Sequence, residues 1–152
     1  MKVETKRMLL QPMSDNEIEE MMAEMPSDDL RAAYGEMLAG CRREPENRIW
    51  YAPWKMTLKN SREYMGDVGF KGPAKNRTVE IGYGILTSYE GNGYMTEAVQ
   101  AMIRWAFAQQ NVDFVEAETD PDNRASQRIL EKCGFEKEFS DCYPVSYTHL
   151  RA

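Results

Sequence analysis

Residues 80–99 read EIGYGILTSYEGNGYMTEAV and join two patterns of hydrophobicity. The segment from Thr78 to Leu86 is rich in β-branched and aromatic residues, which predicts a strand. From Met95 to Gln110, apolar pairs recur every four residues, which predicts an amphipathic helix. Between the two, Gly91 and Gly93 can turn the backbone without side-chain obstruction. The stretch therefore predicts a strand, a glycine-bearing turn and a helix in direct succession.

The glycine-bearing turn also has the features of an anion site. The backbone N–H groups of such a turn and the positive end of the following helix both favour a diphosphate. A purely structural turn has the same residues, so the pattern alone leaves both interpretations. A dinucleotide-binding GxGxxG motif would need glycine at position 96, where the chain has Thr96. The chain also has no GxxxxGKS or GxxxxGKT segment, which excludes the common phosphate loop of nucleoside triphosphatases.

Strands and helices continue on both sides of this stretch, without a repeat or a linker. Ser14 and Glu17 match a capping box that opens one helix, and Ser27 can cap the next. A further helix from Asn123 is closed by Gly134. The predicted strands are 5–11, 49–59, 65–71, 78–86, 114–119 and a last one from position 135, and the predicted helices are 14–25, 27–40, 95–110 and 123–133. This order predicts one mixed α+β domain with a single parallel crossover.

Proline and glycine mark possible irregularities in two of the predicted strands. Pro53 lies inside the aromatic segment IWYAPWKMTLK, which suggests an edge strand or a bulge. Gly82 and Gly84 lie inside the strand that precedes the glycine-bearing turn. Glycine within a strand often marks a bulge or a close approach of another backbone, so we expect one of these features there.

The charge balance restricts the partners of the protein. The chain has 152 residues and a formal net charge of -6. A nucleic-acid partner would require a basic surface, so the composition argues against one. An acidic surface can steer a cationic substrate toward the protein, although it can equally serve solubility alone.

Cysteine and histidine are too few and too scattered for a metal site or a disulfide framework. Cys41, Cys133 and Cys142 form no CxxC pair, and His149 is the single histidine. The N-terminal segment has no apolar core of signal-peptide length, and no apolar run approaches the length of a membrane span. We therefore expect a soluble cytoplasmic protein with reduced thiols, no metal and no membrane partner.

Two segments together resemble a known family. EIGYGILTSYEGNGYMTEAV and, one strand later, DPDNRASQRILEKCGF (residues 120–135) are similar to the GNAT superfamily of N-acetyltransferases, in the branch of the RimJ/RimL enzymes. Gly91 and Gly93 match the fourth and sixth positions of the family's pyrophosphate loop, while Ser88 departs from the glutamine or arginine that usually leads it. Asn123, Ser126 and the pair 134–135 also fall in register. The resemblance extends over about residues 3 to 140.

The resemblance implies a fold and a donor, acetyl-coenzyme A (acetyl-CoA). The fold is a three-layer α+β arrangement whose mostly antiparallel sheet has one V-shaped splay, where the bulged strand of residues 82–86 leaves the strand ending at Thr119. That slot would hold the pantetheine arm, and Asn123 would bind the arm or order a water. Arg128, in a basic stripe with positions 124 and 132, would meet the 3′-phosphate or be a solvated helix face. The implied diphosphate loop is Glu90, Gly91, Asn92, Gly93, Tyr94 and Met95, and the implied oxyanion donor is a backbone N–H near Ile85 or Leu86.

The resemblance also implies two catalytic residues. Glu80 is the candidate general base, because an ammonium group of pKa roughly 8 to 10 must lose a proton before it attacks a thioester. The alternative for Glu80 is a structural pair across the sheet. Ser126 is the candidate general acid, since Leu130 stands where many relatives have a tyrosine. The alternative for Ser126 is a hydroxyl bonded to its own helix backbone.

The acceptor is an amine whose identity the sequence leaves open: a peptide N-terminus, a lysine, an aminoglycoside, a polyamine or another small amine. Trp50, Tyr51 and Trp54 would line the acceptor pocket or pack in the core. A second hypothesis is an acyl-CoA-binding module without turnover, to which Ser88 and Leu130 point. A third is a generic ligand-binding domain in which the motif match is accidental.

The C-terminal residues depart from the family pattern. Relatives continue past the last helix with two strands, whereas residues 144–152 resemble a truncated or non-native tail. We therefore predict one domain over 1–143, a sheet that lacks its final strand, and either marginal stability or completion of the sheet by a homodimer.

Overall fold

Eight strands form a single sheet in the computed structural model of the chain, which describes residues 1–138 and 145–150. Their order across the sheet is β1-β2-β3-β4-β5-β6-β8-β7, and in this part of the chain every neighbouring pair is antiparallel except β5 and β6. The strands are β1 (Val3–Glu4), β2 (Met8–Pro12), β3 (Trp54–Leu58), β4 (Tyr64–Phe70), β5 (Thr78–Ile85), β6 (Phe114–Thr119), β7 (Glu136–Lys137) and β8 (Val145–Leu150). The predicted mostly antiparallel sheet with one parallel pair is confirmed.

Helices cover both faces of the sheet, which gives the predicted three layers. They are α1 (Asp15–Ala23), α2 (Asp28–Arg43), α3 (Arg48–Tyr51), α4 (Tyr94–Phe107) and α5 (Arg124–Lys132). Successive strand residues point to opposite faces. In β4, Val68 packs in the core cluster that contains α4, whereas Asp67 accepts a hydrogen bond from Tyr34 of α2. The first two helices therefore pack on one face of the sheet and α4 on the other.

Two of the helix starts confirm their predicted caps. Ser14 and Glu17 form the reciprocal bonds of a capping box, with Ser14 N–H donating to Glu17 and Glu17 N–H donating to the Ser14 hydroxyl. Ser27 caps α2 by accepting from the Leu30 backbone. These contacts involve residues three positions apart, so they are visible in the sequence.

The aromatic segment 49–59 is not one strand as predicted. Its first residues form α3, and the strand begins only after Pro53. Trp50 is buried against Phe70 and Trp105, with ring centroids 5.2 and 4.8 Å away, and this packing holds its backbone helical. β3 pairs with β2 on one side and β4 on the other, so it is not an edge strand. Trp50 and Trp54 are core residues. Of the two alternatives, core packing or lining of the acceptor pocket, the structure therefore supports core packing for both.

The expected bulge in β5 is also absent from the described sheet. β5 keeps an uninterrupted register with β4 from Ile81 to Ile85, and the irregularity lies instead between β3 and β4, where Met65 is the extra residue. The close approach between β4 and β5 requires glycine at Gly66 of β4, whereas a Cβ on Gly82 or Gly84 of β5 would meet nothing closer than 3.7 Å. A Cβ on Gly66 would lie 2.2 Å from the Gly84 carbonyl oxygen, so a larger residue at position 66 would push the two strands apart.

The prediction that the final strand is missing is wrong. β8 lies between β6 and β7 and pairs with β6 along all six of its residues, from Val145 to Leu150. Val145 and Tyr147 are buried, while the residues between and after them are more exposed, which is the alternation of a half-buried strand. The argument for marginal stability therefore loses its basis. Cys142 lies outside the described residues, and the foreign origin of residues 144–152 and the homodimer stay predictions.

A buried carboxylate links the sheet to α2. Asp67 is 7% exposed and accepts hydrogen bonds from the hydroxyls of Tyr34, at 2.5 Å, and Tyr64, at 3.2 Å. Burial raises the pKa of the Asp67 carboxyl, and the two phenol hydrogen bonds oppose this rise without cancelling it. The carboxylate therefore depends on both hydroxyls for its stability in the folded protein.

We expect Tyr34→Phe to lower the free energy of unfolding at pH 7 by about 1–3 kcal/mol, because it leaves a buried carboxylate short of a donor. The substitution raises the folded-state pKa of Asp67 further. A carboxyl whose pKa is higher in the folded than in the unfolded protein stabilises the fold most below its unfolded pKa. This contribution to the free energy of unfolding is lost as pH rises through the folded-state pKa. The deficit should therefore shrink between pH 7 and pH 4 in urea unfolding. Tyr89→Phe, which removes an exposed hydroxyl bound to Glu63, should change stability little, and equal losses for both would contradict the assignment.

Candidate active site

The parallel pair β5 and β6 separates along its length. The two strands are partners only from Thr78 to Glu80 on β5 and from Phe114 to Glu116 on β6. Beyond that point, in the described part of the sheet, β5 pairs only with β4, and β6 only with β8. The sheet therefore opens into the V-shaped splay that the resemblance implied.

A cleft of about 800 Å³ begins at the open end of this splay. The end of β5, the turn after it, the start of α4 and the first turns of α5 form its walls. The lining residues are Tyr83, Gly84, Ile85, Thr87, Tyr89, Glu90, Gly91, Gly93, Tyr94, Met95, Thr96, Asn123, Ala125, Ser126, Arg128, Ile129 and Lys132.

The glycine-bearing turn and the start of α4 form one wall of the cleft. Gly91 and Gly93 have φ angles of +79° and +76°, in the left-handed region that favours glycine. Gly93 is the N-cap of α4 and provides no capping side chain. The first N–H groups of a helix have no partner within it, so those of α4 are available to a ligand at this wall. A Cβ on Gly91 would meet nothing within 4 Å, which shows open space beside the turn.

Most of the residues predicted to bind the donor line this cleft. The exceptions are Leu86, which is 47% exposed, and Asn92, whose amide donates back to the carbonyls of Tyr89 and Glu90. Asn92 therefore stabilises the turn through these two hydrogen bonds and does not line the cleft. The predicted donor-binding residues that line the cleft are Ile85, Glu90, Gly91, Gly93, Tyr94, Met95, Asn123 and Arg128. Ser126, the predicted general acid, lines it as well.

Asn123 and Arg128 have different surroundings within the cleft. The Asn123 side-chain oxygen caps α5 by accepting from the Ser126 backbone at 3.1 Å. Arg128 and Lys132 both line the cleft, and neither forms an ion pair with a described residue. Their two positive charges are therefore available to an anionic ligand.

Ser126 lies against a residue that the sequence analysis missed. Its hydroxyl oxygen is 2.8 Å from that of Tyr83 on β5, so the hydroxyl has a side-chain partner on another element. Burial raises the pKa of the Tyr83 phenol to about 12, and the hydrogen bond with Ser126 opposes this rise. Tyr83 is therefore protonated near neutral pH. Tyr83 follows Val79 and Ile81 at alternate positions of β5, and all three side chains face the α4 side of the sheet. This alternation is the signal in the sequence that could have identified Tyr83.

Glu80 does not line the same cleft as Ser126. It shares the opposite face of β5 with Gly82 and Gly84, and its Oε2 atom lies 2.6 Å from Nζ of Lys71 across the sheet. With Glu116 of β6 it borders a second, smaller depression of about 360 Å³. The ion pair with Lys71 matches the structural alternative considered for this glutamate.

The described residues include neither a cluster of metal ligands nor a helix that could span a membrane. No group of three histidine, cysteine, aspartate or glutamate side chains in residues 1–138 and 145–150 could hold a metal ion. Over the same residues, none of the helices combines the length and apolar character needed to cross a bilayer.

A parallel pair that splays beside a glycine-bearing helix start is the arrangement that the sequence resemblance implied for an acyltransferase with an acyl-CoA donor. The profile of the Acetyltransferase (GNAT) domain matches residues 4–136, which is most of the chain. The chain therefore belongs to the GNAT acetyltransferase family.

Several curated proteins are similar to this chain. The uncharacterized N-acetyltransferase YoaA of Bacillus subtilis is 28% identical over 147 residues, which cover 90% of this chain and 83% of YoaA. YjdG of the same organism is 39% identical over 83 residues, 54% of this chain and about half, 49%, of YjdG. The ribosomal protein uS5-alanine N-acetyltransferase of Escherichia coli is 38% identical over 58 residues, 38% of this chain and 30% of that enzyme.

Solved structures share the fold over nearly the whole chain. An acetyltransferase from Agrobacterium tumefaciens superposes with a TM-score of 0.76 at 22% identity, covering 99% of this chain and 95% of that one. Mycobacterium smegmatis RimJ, in complex with CoA-disulfide, has a TM-score of 0.76 at 18% identity and covers 99% and 87%. At these identities the likeness shows the fold.

Proposed function

We propose that the chain transfers an acetyl group from acetyl-CoA to a primary amine, either the N-terminus of a peptide or protein or a small molecule. The observation that carries this proposal is the left-handed glycine turn, which opens the start of α4 onto the cleft at the splayed strands. The acetyl donor supplies an activated thioester. The chain supplies binding, orientation and proton transfer.

The donor fits the cleft in three parts. The diphosphate accepts hydrogen bonds from the turn and from the first N–H groups of α4. The pantetheine amides pair with the edge of β5 that faces the splay, near Ile85, in the manner of an added strand. The 3′-phosphate meets Arg128 and Lys132, whose positive charges face the same cleft.

In the proposed reaction, protons are transferred on both faces of β5. Gly82 and Gly84 have no side chains, and a Cβ on Gly84 would meet nothing within 4 Å, so the amine has a path from the face that carries Glu80. There Glu80 takes the proton that the ammonium must lose. The amine nitrogen bonds to the acetyl carbon, and the carbon–sulfur bond breaks. The thiolate receives a proton from the Tyr83–Ser126 pair. The new amide nitrogen loses its second proton to solvent, and solvent returns a proton to the Tyr83–Ser126 pair.

Similarity to named enzymes supports a peptide or protein acceptor without restricting the choice to it. The Escherichia coli relative is named for alanine of ribosomal protein uS5. The net charge of -6 favours a cationic acceptor of either kind. We further propose that the protein acts in the cytoplasm, where the thiols of Cys41 and Cys133 would stay reduced.

The second candidate is an acyl-CoA-binding module without turnover. The ion pair between Glu80 and Lys71 favours it, because it gives the carboxylate a structural role away from Ser126. The two candidates differ in one observable, the steady release of thiol from acetyl-CoA when an amine is added.

Calorimetric titration with acetyl-CoA, followed by thiol-release assays against a panel of amines and peptides, tests the proposal. Saturable binding with amine-dependent thiol release supports the transferase. Binding with no release from any amine supports the binding module. A folded sample that binds no acetyl-CoA contradicts both.

Within the transferase, Ser126→Ala and Tyr83→Phe test the proton donor. We expect each to lower kcat by about tenfold, which is below the roughly 100-fold or more typical of general acid catalysis, because a thiolate leaves readily without a proton donor. The KM for acetyl-CoA should change little. The kcat of the double variant should be no more than about twofold lower than that of either single variant, because the two hydroxyls act through one hydrogen bond. Unchanged kcat in both single variants would remove this pair from the mechanism.

A further inference from the structure

Arg7, in the turn between β1 and β2, contacts the glycine-bearing turn and is not among the residues that line the cleft. Its Nε atom donates to Glu97 of α4 at 2.8 Å, and its Nη1 atom donates to the Asn92 carbonyl at 3.0 Å. Its guanidinium carbon lies 4.2 Å from the centre of the Tyr94 ring, in a cation–π contact. One side chain thus contacts the glycine-bearing turn and the first turn of α4.

Glu97 is itself fixed to the same β1–β2 turn. It accepts from the Thr5 hydroxyl at 2.5 Å and from the Arg7 backbone N–H at 3.0 Å, in addition to the guanidinium. Burial alone would raise the pKa of the Glu97 carboxyl, but these hydrogen bonds and the charge of Arg7 outweigh burial and lower it. Glu97 is therefore ionised at neutral pH and accepts the bonds from Thr5 and Arg7 as a carboxylate.

The bond to the Asn92 carbonyl has a consequence for the next N–H group. In a trans peptide the C=O and the following N–H point in opposite directions. Arg7 draws the Asn92 oxygen toward the β1–β2 turn, so the N–H of Gly93 points the other way. Gly93 lines the cleft, whereas Arg7 and Asn92 do not. The contact therefore directs the Gly93 N–H to the side where the cleft lies.

We propose that Arg7 is a positioning residue that preorganises the diphosphate-binding N–H groups of the glycine-bearing turn; this inference rests on the proposed use of acetyl-CoA. Glycine has the largest conformational freedom of any residue, and two of them in one turn would otherwise lose that freedom only when the donor binds. Fixing the turn beforehand removes this entropic loss from the binding step.

The test compares Arg7→Met with Arg7→Lys and with a matched control. Arg48 is the control, because it also joins a carboxylate, Asp15 at 2.8 Å, to a backbone carbonyl, that of Met13 at 2.9 Å, on the α1 side of the sheet. We expect Arg7→Met to weaken acetyl-CoA binding about tenfold, the size of effect expected when a charge-assisted contact of this kind is lost. Arg48→Met should leave binding within about twofold even if it lowers the melting temperature.

Arg7→Lys separates geometry from charge. Lysine keeps the positive charge but cannot hold a carboxylate and a carbonyl in one planar fork, so we expect a loss close to that of Arg7→Met. In the ligand-free protein, the NMR order parameter of the Gly93 amide should fall from about 0.85 toward 0.6 in both variants. Wild-type affinity in Arg7→Lys, or an unchanged order parameter at Gly93, would overturn the inference. Failure of the wild-type protein to bind acetyl-CoA would instead count against the proposed function, and the order parameter would still test Arg7.

Discussion

Gly93→Val is expected to weaken acetyl-CoA binding by about 100-fold or more, the largest single effect on the donor site. The position has φ of +76°, which costs a residue with a Cβ roughly 1–2 kcal/mol and a β-branched residue more. To relieve this strain, the turn must rotate the peptide groups whose N–H atoms face the cleft. The start of α4 would also shift, because Gly93 is its N-cap. Titration calorimetry on folded protein measures the effect.

The matched control for Gly93→Val is Gly134→Val. Gly134 has φ of +91° at the end of α5, so valine there is similarly strained, but Gly134 does not line the cleft. We expect both variants to lose stability in urea unfolding and only Gly93→Val to lose acetyl-CoA affinity. If the two variants lose affinity equally, the loss reflects general destabilisation and the diphosphate is not bound at this turn.

Glu80→Gln is expected to lower kcat/KM for the amine by about 100-fold, which is the lower range for removal of a general base. The amide keeps the shape of the side chain but cannot accept the ammonium proton. The deficit should shrink as pH rises toward the pKa of the amine, because a growing fraction of the acceptor is then already neutral. A pH series of thiol-release rates from pH 6.5 to 9.5 checks both the size and the trend.

Glu116→Gln provides the control for this glutamate. Glu116 is the register partner of Glu80 on β6 and borders the same depression. Glu116→Gln therefore removes a comparable negative charge from the same place. A loss specific to Glu80→Gln assigns the base. Equal losses in the two variants indicate a field effect on the cationic acceptor, and a rate unchanged in Glu80→Gln leaves Glu80 as the structural partner of Lys71.

The glycine-bearing turn was predictable because all of its parts are contiguous in the chain. The strand, Gly91, Gly93 and the amphipathic helix follow one another within 20 residues, and a left-handed turn requires glycine for local steric reasons. The caps at Ser14 and Ser27 were predictable for the same reason. In each case the interacting groups are a few positions apart, so their spacing in the sequence fixes their distance in space.

Arg7 and Tyr83 were not predictable from spacing. Arg7 is 85 positions from Asn92, and Tyr83 is 43 positions from Ser126. Such pairs meet only because the sheet order and the helix layers bring distant segments together. α3 has a similar origin, because its backbone follows the packing of Trp50 against Phe70 and Trp105 rather than its strand-like aromatic composition.

The sequence by itself determined the class of fold, through the order of its hydrophobic patterns and its resemblance to the family. It also determined the position of the glycine-bearing turn and the caps of two helices, since local sterics and short-range hydrogen bonds decide these features. The tertiary structure alone decided that β8 completes the sheet, that Glu80 and Ser126 lie on opposite faces of β5, and that Arg7 holds the turn. The physical reason is that strand order, sheet face and long-range ion pairs depend on how the whole core packs, and no local pattern encodes that packing.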